Sequence, residues 1–455
     1  MSTIAGSCRS LLCAFVAAAV VAGCGAAQQQ LAPGATQPSA TRLGFRTPAS
    51  ETVGWGQSYH DEGHTGYNGS EKQLRSRNVA NLQLLWAASV GGGVTGFALD
   101  NGTIFAQGQG ASNEPILVAL DALAGTQLWS ATTGSDGYVL NGTVTTGGGL
   151  VYVGCSANLM NDEQGICAFN ESSGAPVWSF FNNCGCQPPA SVTAPPVYSN
   201  GVLYFGYADG GVSTPNSLRA VNAATGTQLW SASFSASQSL GTAPPIVGGG
   251  EIYAGCGTNV CAFNQTDGTP LWSVDVGTEP NPALTTFQGL VFASTAFNGT
   301  DSTVVGINAI TAKKVWTYTY LPKASPPTPS QPAAISGGVL YVTGTNGVLY
   351  ALYRVSGKKI WSAGPGNGGY PAASAPSVAN SIVYVNGDGK DGSQANTTAH
   401  SATNGHVLWS SPSNHGALSP PPIVANGILY FASPADSICS SICAYSPKKA
   451  PKPKT

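Results

Sequence analysis

An eleven-residue phrase, Ala-x-Asp/Asn-x-x-x-Gly-x-x-x-Trp, recurs seven times and leaves this chain little freedom of fold. It is clearest at Ala119–Trp129, Ala168–Trp178, Ala220–Trp230 and Ala262–Trp272. Weaker copies span Gly306–Trp316, Ala351–Trp361 and Ala399–Trp409. An eighth begins at Ala444 and has no Trp after it, whereas Trp86 has no Ala-x-Asn phrase before it. Successive tryptophans are 42 to 52 residues apart. Each unit holds a short apolar piece, a turn, an alternating strand such as Val202–Phe205, a variable loop, the Ala-x-Asn strand, a Gly turn and the Trp strand. Four strands (A to D) every forty-odd residues is the pattern of a propeller blade.

The chemistry of the phrase suits that role. Glycine supplies the positive φ of a tight C–D turn. The Asp or Asn before it bonds the turn's own backbone. A Trp opening strand D buries a large ring between neighbouring blades. Trp86, Trp129, Trp178, Trp230, Trp272, Trp316, Trp361 and Trp409 are thus expected to be structural. The fold class predicted is all-β, an eight-bladed propeller over residues 55–447. Its last blade takes strands A to C from 420–445 and strand D from the segment carrying Trp86. Ring closure hides sheet edges that an open array would expose.

Composition agrees. Only 8% of residues are charged, against 59 Gly and 31 Pro, a balance typical of loop-rich β proteins. A net charge of −2 with no basic, aromatic-interleaved stripe excludes an electrostatic case for nucleic acid.

Arg9 precedes a twelve-residue apolar run, Leu11 to Ala22, too short to span a bilayer. The run ends in Val21-Ala22-Gly23-Cys24, which resembles a bacterial lipobox. Residues 1–23 are read as a signal peptide, with Cys24 the lipidated residue and the membrane reached by lipid anchor alone; the alternative is ordinary cleavage and secretion. Gly25 stands where an inner-membrane retention signal would show Asp, so the lipobox resemblance implies the outer membrane in a cell that has one, on its periplasmic side or at the cell surface. Residues 24–54 read as a flexible tether and 448–455 as a Lys/Pro-rich solvated tail.

Eight cysteines remain, an even number in an exported chain, so disulfides are expected. Repeat register pairs Cys155 with Cys167, Cys256 with Cys261 and Cys439 with Cys443. Cys184 and Cys186 are left as a local bridge or a free pair. His60 and His64 stand at i, i+4, but Gly63 and Gly66 oppose the helix a metal pair would need, so a packing role under the domain is expected. His400 occupies an apolar slot of the repeat and reads as a core histidine.

The phrase Ala-x-Asp-x-x-Thr-Gly-x-x-x-Trp, with its Tyr-Val-Gly strand, resembles the tryptophan-docking repeat of the pyrroloquinoline-quinone-type propeller family, over nearly the whole mature chain. The resemblance implies the fold and leaves activity open. One branch holds quinoprotein alcohol and sugar dehydrogenases with the quinone (PQQ) and Ca²⁺ over the axial channel. Another is a non-catalytic branch of envelope lipoproteins concerned with outer-membrane barrel assembly. The inner A strands, read as Val94–Leu99, Leu140–Thr145, Val192–Val197 and their counterparts, contain no Asp, Glu, Lys or Arg. No adjacent cysteines and no Cys-x-x-Cys-His occur either. No cofactor or metal is therefore expected, and PQQ with Ca²⁺ belongs to the alternative, a dehydrogenase of alcohols or sugars.

The D–A and B–C loops collect acids, including Asp136, Asp209, Glu279 and Asp388, against only Lys323 and Lys390. That face is expected to take an envelope protein or a small hydroxyl-rich or cationic ligand. The reading is a monomeric, non-catalytic binding or scaffolding propeller at the cell envelope.

Overall fold

The computed structural model describes residues 54–447, apart from 92, 111–113, 135–143, 157–163, 182–189, 210–215, 235–242, 278–282, 296–301, 321–330, 345–346, 365–373, 389–394, 412–419 and 433–440. These residues build eight four-stranded antiparallel sheets. Blade 1 runs Gly96–Asp100, Thr103–Gln109, Pro115–Asp121 and Gln127–Thr132. Blades 2 to 7 follow, their A strands being Thr145–Gly147, Ser191–Ser199, Ile246–Gly248, Ala283–Phe287, Ala334–Ser336 and Ser377–Ala379. Blade 8 takes Ile423–Ala425, Ile428–Ala432 and Ile442–Ser446, and Gln83–Ala88 completes it by pairing antiparallel with Ile442–Ser446. One apolar cluster spans the closure, with Trp86, Phe97 and Ile104 packed among Ile423, Tyr430 and Ile442.

The phrase works as a lock between blades. Asp121 Oδ1 accepts the N–H of Leu123 at 2.9 Å and of Ala124 at 2.7 Å, shaping the C–D turn that Gly125 ends at φ +70°. The ring of Trp86, one blade earlier, lies on Gly125, where an added Cβ would come within 2.5 Å of the indole. Gly174, Gly226, Gly268, Gly357 and Gly405 meet Trp129, Trp178, Trp230, Trp316 and Trp361 in the same way. The indole N–H of each of these six tryptophans donates to a C–D turn carbonyl of the next blade, at 2.9 to 3.3 Å. So the Gly of the phrase serves both its own turn and its neighbour's Trp.

Blade 5 departs from this. Ala312 stands at the Gly position with φ +51°, and the Trp272 N–H has no carbonyl partner. In all eight blades the C–D ladder shifts register just before the Trp, as between Ala119 and Leu120. The residue bulged out there is aliphatic and exposed in five of them: Leu128, Val177, Leu229, Leu271 and Val315.

The Cys155–Cys167 and Cys256–Cys261 bonds are formed, with Cα atoms 5.7 and 6.0 Å apart. Cys443 is also disulfide-bonded. Cys24, Cys184, Cys186 and Cys439 lie outside the described residues. One expectation needs correcting: strand A of blade 1 extends to Asp100, so the inner strands do carry a carboxylate. Thr103 pairs with Asp100 across the turn and continues the ladder one step past Leu99.

Candidate functional site: the closed axis and the two loop faces

Every A strand ends one residue after a backbone group that has no blade beyond it to bond. Residues 55–68 meet those groups in ring order. The amides of Leu99, Thr146, Val247, Thr286, Ile335 and Val378 donate to the carbonyls of Trp55, Gly56, Glu62, Gly63, Thr65 and Gly66, at 2.6 to 2.9 Å. At blade 3 the Gln57 side-chain amide substitutes, accepting the Tyr198 N–H at 3.0 Å and donating to the Tyr198 carbonyl at 3.2 Å. At blade 8, Asn68 Nδ2 donates to the Val424 carbonyl at 2.8 Å. One short segment thus touches the penultimate A-strand residue of all eight blades. It closes the axis on the side of the A–B and C–D turns.

Packing under the domain understates this role. Tyr59, His60 and His64 sit at φ 60°, 85° and 54°, a region costly for residues other than glycine. Asp61 holds the bend: its Oδ1 accepts Gly63 N–H at 3.1 Å and Thr65 N–H at 2.9 Å, and its Oδ2 accepts the Thr65 hydroxyl. His60 Nδ1 stands 3.4 Å from the same carboxylate. Burial alone would push the Asp61 carboxyl up, but the His60 and Thr65 contacts outweigh it and hold it below the usual carboxylate range. Burial raises the neighbouring Glu62, against a bond from Ser199. His64 is almost fully buried, and burial lowers it to about 4, so its ring is neutral at pH 7.

A second carboxylate site lies on the same side, between blades 1 and 2. Glu171, in the C–D turn of blade 2, is raised to about 7 by burial and by the charge of Asp100. Asn101 opposes that shift. Glu171 therefore keeps its proton until near neutrality, since burial and the Asp100 carboxylate both disfavour its charge.

On the opposite face, Asp209 follows the B strand of blade 3 and is ion-paired with Arg219, whose guanidinium also stacks over Tyr207. Asp388 closes the B strand of blade 7 at the same end. Asp136 and Glu279 lie outside the described residues. His400 is buried, with Nδ1 3.0 Å from the Gly405 carbonyl and Nε2 2.9 Å from the Thr398 hydroxyl, a histidine with both nitrogens occupied inside the core. Among the described residues no three His, Cys, Asp or Glu gather as a metal site.

The ring has many structural counterparts. BamB from Moraxella catarrhalis superposes with a TM-score of 0.57 at 14% identity, covering 80% of this chain and 97% of that one. A quinohemoprotein alcohol dehydrogenase from Comamonas testosteroni gives 0.62 at 14% identity, covering 90% and 82%. At such identities the likeness is one of fold. In sequence, a stretch of 170 residues is 29% identical to the outer membrane protein assembly factor BamB of Nitrosomonas eutropha. That match spans 36% of this chain and 37% of the relative's length. The profile of one family covers nearly the whole ring, over residues 72–217, 214–329 and 323–449. The chain therefore belongs to the family described as outer membrane protein assembly factor BamB.

Proposed function

We propose that the protein is a non-catalytic scaffold of the bacterial envelope, held through lipid on Cys24 at the periplasmic side of the outer membrane. There it binds another envelope protein. The observation that carries this reading is family membership over almost the entire ring. A relative named as an assembly factor supports it. The closed axis fits the same role: residues 55–68 spend the ends of all eight A strands on rigidity.

The partner engages the D–A and B–C loop face, where Asp136, Asp209, Glu279 and Asp388 favour a basic segment or a cationic, hydroxyl-rich ligand. Arg219 already compensates Asp209, so the other three carry most of the attraction. The experiment is affinity recovery from cross-linked envelopes, with wild type beside a variant neutralised at Asp136, Glu279 and Asp388. Recovery of an envelope protein by wild type and its loss in the variant is expected. In parallel, purified protein is heated with PQQ and Ca²⁺ and assayed for dye-linked oxidation of alcohols and sugars. Stabilisation with turnover would replace the scaffold by a dehydrogenase.

A further inference from the structure

We propose that one half of the face bearing the A–B and C–D turns docks on a membrane surface rich in anionic phospholipid headgroups. Nine lysines and arginines fall among the described residues, and eight lie on that half-face, over blades 5 to 8. Lys313 and Lys314 follow the C–D turn of blade 5, and Lys358 and Lys359 that of blade 6; all four are exposed. Arg354 shares the blade 6 turn, lying over the Phe287 ring. Lys72, Arg75 and Arg77 are exposed on the segment that runs outward over blades 8 and 7. That course is fixed by bonds from Gly427 to Glu71 and from Asn380 to the Leu74 carbonyl. The ninth, Arg219, is the one paired with Asp209.

Among the described residues of this half, Asp61 is spent in the axial segment on Gly63 and Thr65, and the one other acid, Glu71, accepts the amides of Gln73, Leu74 and Gly427. Blades 1 to 4 present the reverse on the same face: Asp100, Asp121, Glu171, Glu251 and Asp267, with no Lys or Arg among the described residues. Consecutive blades are neighbours, so the face divides into an acidic and a basic half. A net charge of −2 conceals this.

Two further observations choose a lipid surface as the occupant. Large apolar side chains stand exposed among the lysines: Ile310 at 58%, Val355 at 66% and Tyr353 at 49%. Aliphatic and Tyr side chains interspersed with Lys suit the headgroup boundary, where apolar parts enter and ammonium groups stay with phosphate. The chain also leaves the ring on this side. Gly54, the first described residue, lies against Leu99 and Asp100 on this face. Ser446 ends the last C strand here, and Lys448, Lys449, Lys452 and Lys454 follow in sequence. With the acidic half repelled, the ring would tilt so that blades 5 to 8 touch the surface. Attraction by headgroup charge needs no lipid on Cys24, so this inference stands apart from the anchor.

The test uses the full-length protein on vesicles of phosphatidylcholine, with or without about one third phosphatidylglycerol. A water-soluble amine reagent labels exposed lysines, and mass spectrometry reads each site. Lys313, Lys314, Lys358 and Lys359 should label several-fold more slowly on anionic vesicles, with the protection lost at high salt. Lys323 and Lys390, placed by the repeat on the opposite loops, should label alike on both. Replacing the four lysines by Gln should weaken headgroup-dependent binding about fivefold per charge removed, with an unchanged melting temperature. Equal labelling of the four lysines on both vesicles overturns the proposal. So does protection that appears only when an envelope protein is added, which would make this half-face a protein contact. Whether Cys24 is lipidated is read separately from the mass of its peptide.

Discussion

The indole of Trp86 rests on Gly125, so the first strand of the ring in sequence is locked to a turn of the next blade by a contact that admits no side chain. Gly125 also holds φ +70°. Gly125→Ala therefore meets both an aromatic ring and an unfavourable backbone, and should cost about 2–4 kcal/mol. Gly102→Ala is the comparison: it too has positive φ, but nothing lies within 4 Å of its added Cβ. It should cost about 1–2 kcal/mol, for the backbone alone. Urea unfolding of both variants separates the two terms.

Blade 5 offers the converse. Ala312 carries a Cβ where six other blades have glycine, and it does so in the left-handed region. Ala312→Gly should stabilise the ring by about 0.5–1 kcal/mol, the relief of strain exceeding the added chain entropy. If the indole of Trp272 then settles as in the other blades, its N–H gains a carbonyl and the exchange of that indole proton slows. An unchanged or lowered melting temperature would show that blade 5 has already repacked around the alanine.

Closure depends on Gln83–Ala88. Deleting residues 82–90 removes strand D of blade 8 and exposes the edge of Ile442–Ser446. The truncated chain should lose its single cooperative unfolding transition and associate through that edge. The milder Trp86→Ala should keep the ring at a cost of about 3–5 kcal/mol. A truncation that still unfolds in one full-amplitude step refutes the composite blade.

Two buried titrations pull stability in opposite directions with pH. His64 takes its proton at about 4 when folded, against 6.5 unfolded. The unfolded chain binds more protons in that interval, so stability falls as pH drops through it. Glu171 keeps its proton to about 7 when folded, against 4.5 unfolded. There the folded chain binds more protons, so stability falls as pH rises from 4.5 to 7. Each slope approaches about 1.4 kcal/mol per pH unit where fully expressed, and solvent around the half-buried Glu171 reduces its share. Glu171→Gln should abolish the alkaline-side loss and raise stability at pH 8 by on the order of 1 kcal/mol. His64→Asn, which tolerates the left-handed backbone, should flatten the decline between pH 6.5 and 4. Denaturant midpoints at pH 4.5, 6 and 8 would show both slopes.

The repeat made the ring legible because it is written in side chains with few other uses. Gly125, Asp121 and Trp129 each fill a place that only their residue type suits, and their spacing yields blade number, closure and two disulfides. The axial segment was not legible. Six of its eight ring contacts are made by its own carbonyls, which every residue possesses, so Trp55, Gly56 and Glu62 announce nothing in sequence. Only Gln57 and Asn68, standing in for backbone with side-chain amides, carry a trace of it. The split of charge between the two halves of one face was hidden for another reason. Lys313, Lys358 and Lys72 are distant in sequence, and only the angular position of each blade brings them together.

Residues 55–68 also set how the molecule responds to load. A pull at Gly54, from whatever holds the chain upstream, is first borne by the paired bonds between Trp55 and Leu99 at blade 1. Those bonds lie in series with the contacts that follow around the axis, so the segment would peel blade by blade like a zip, while the sheets themselves carry little strain. Ring geometry would survive forces that strip the segment, and refastening needs only that the eight A-strand ends remain in place.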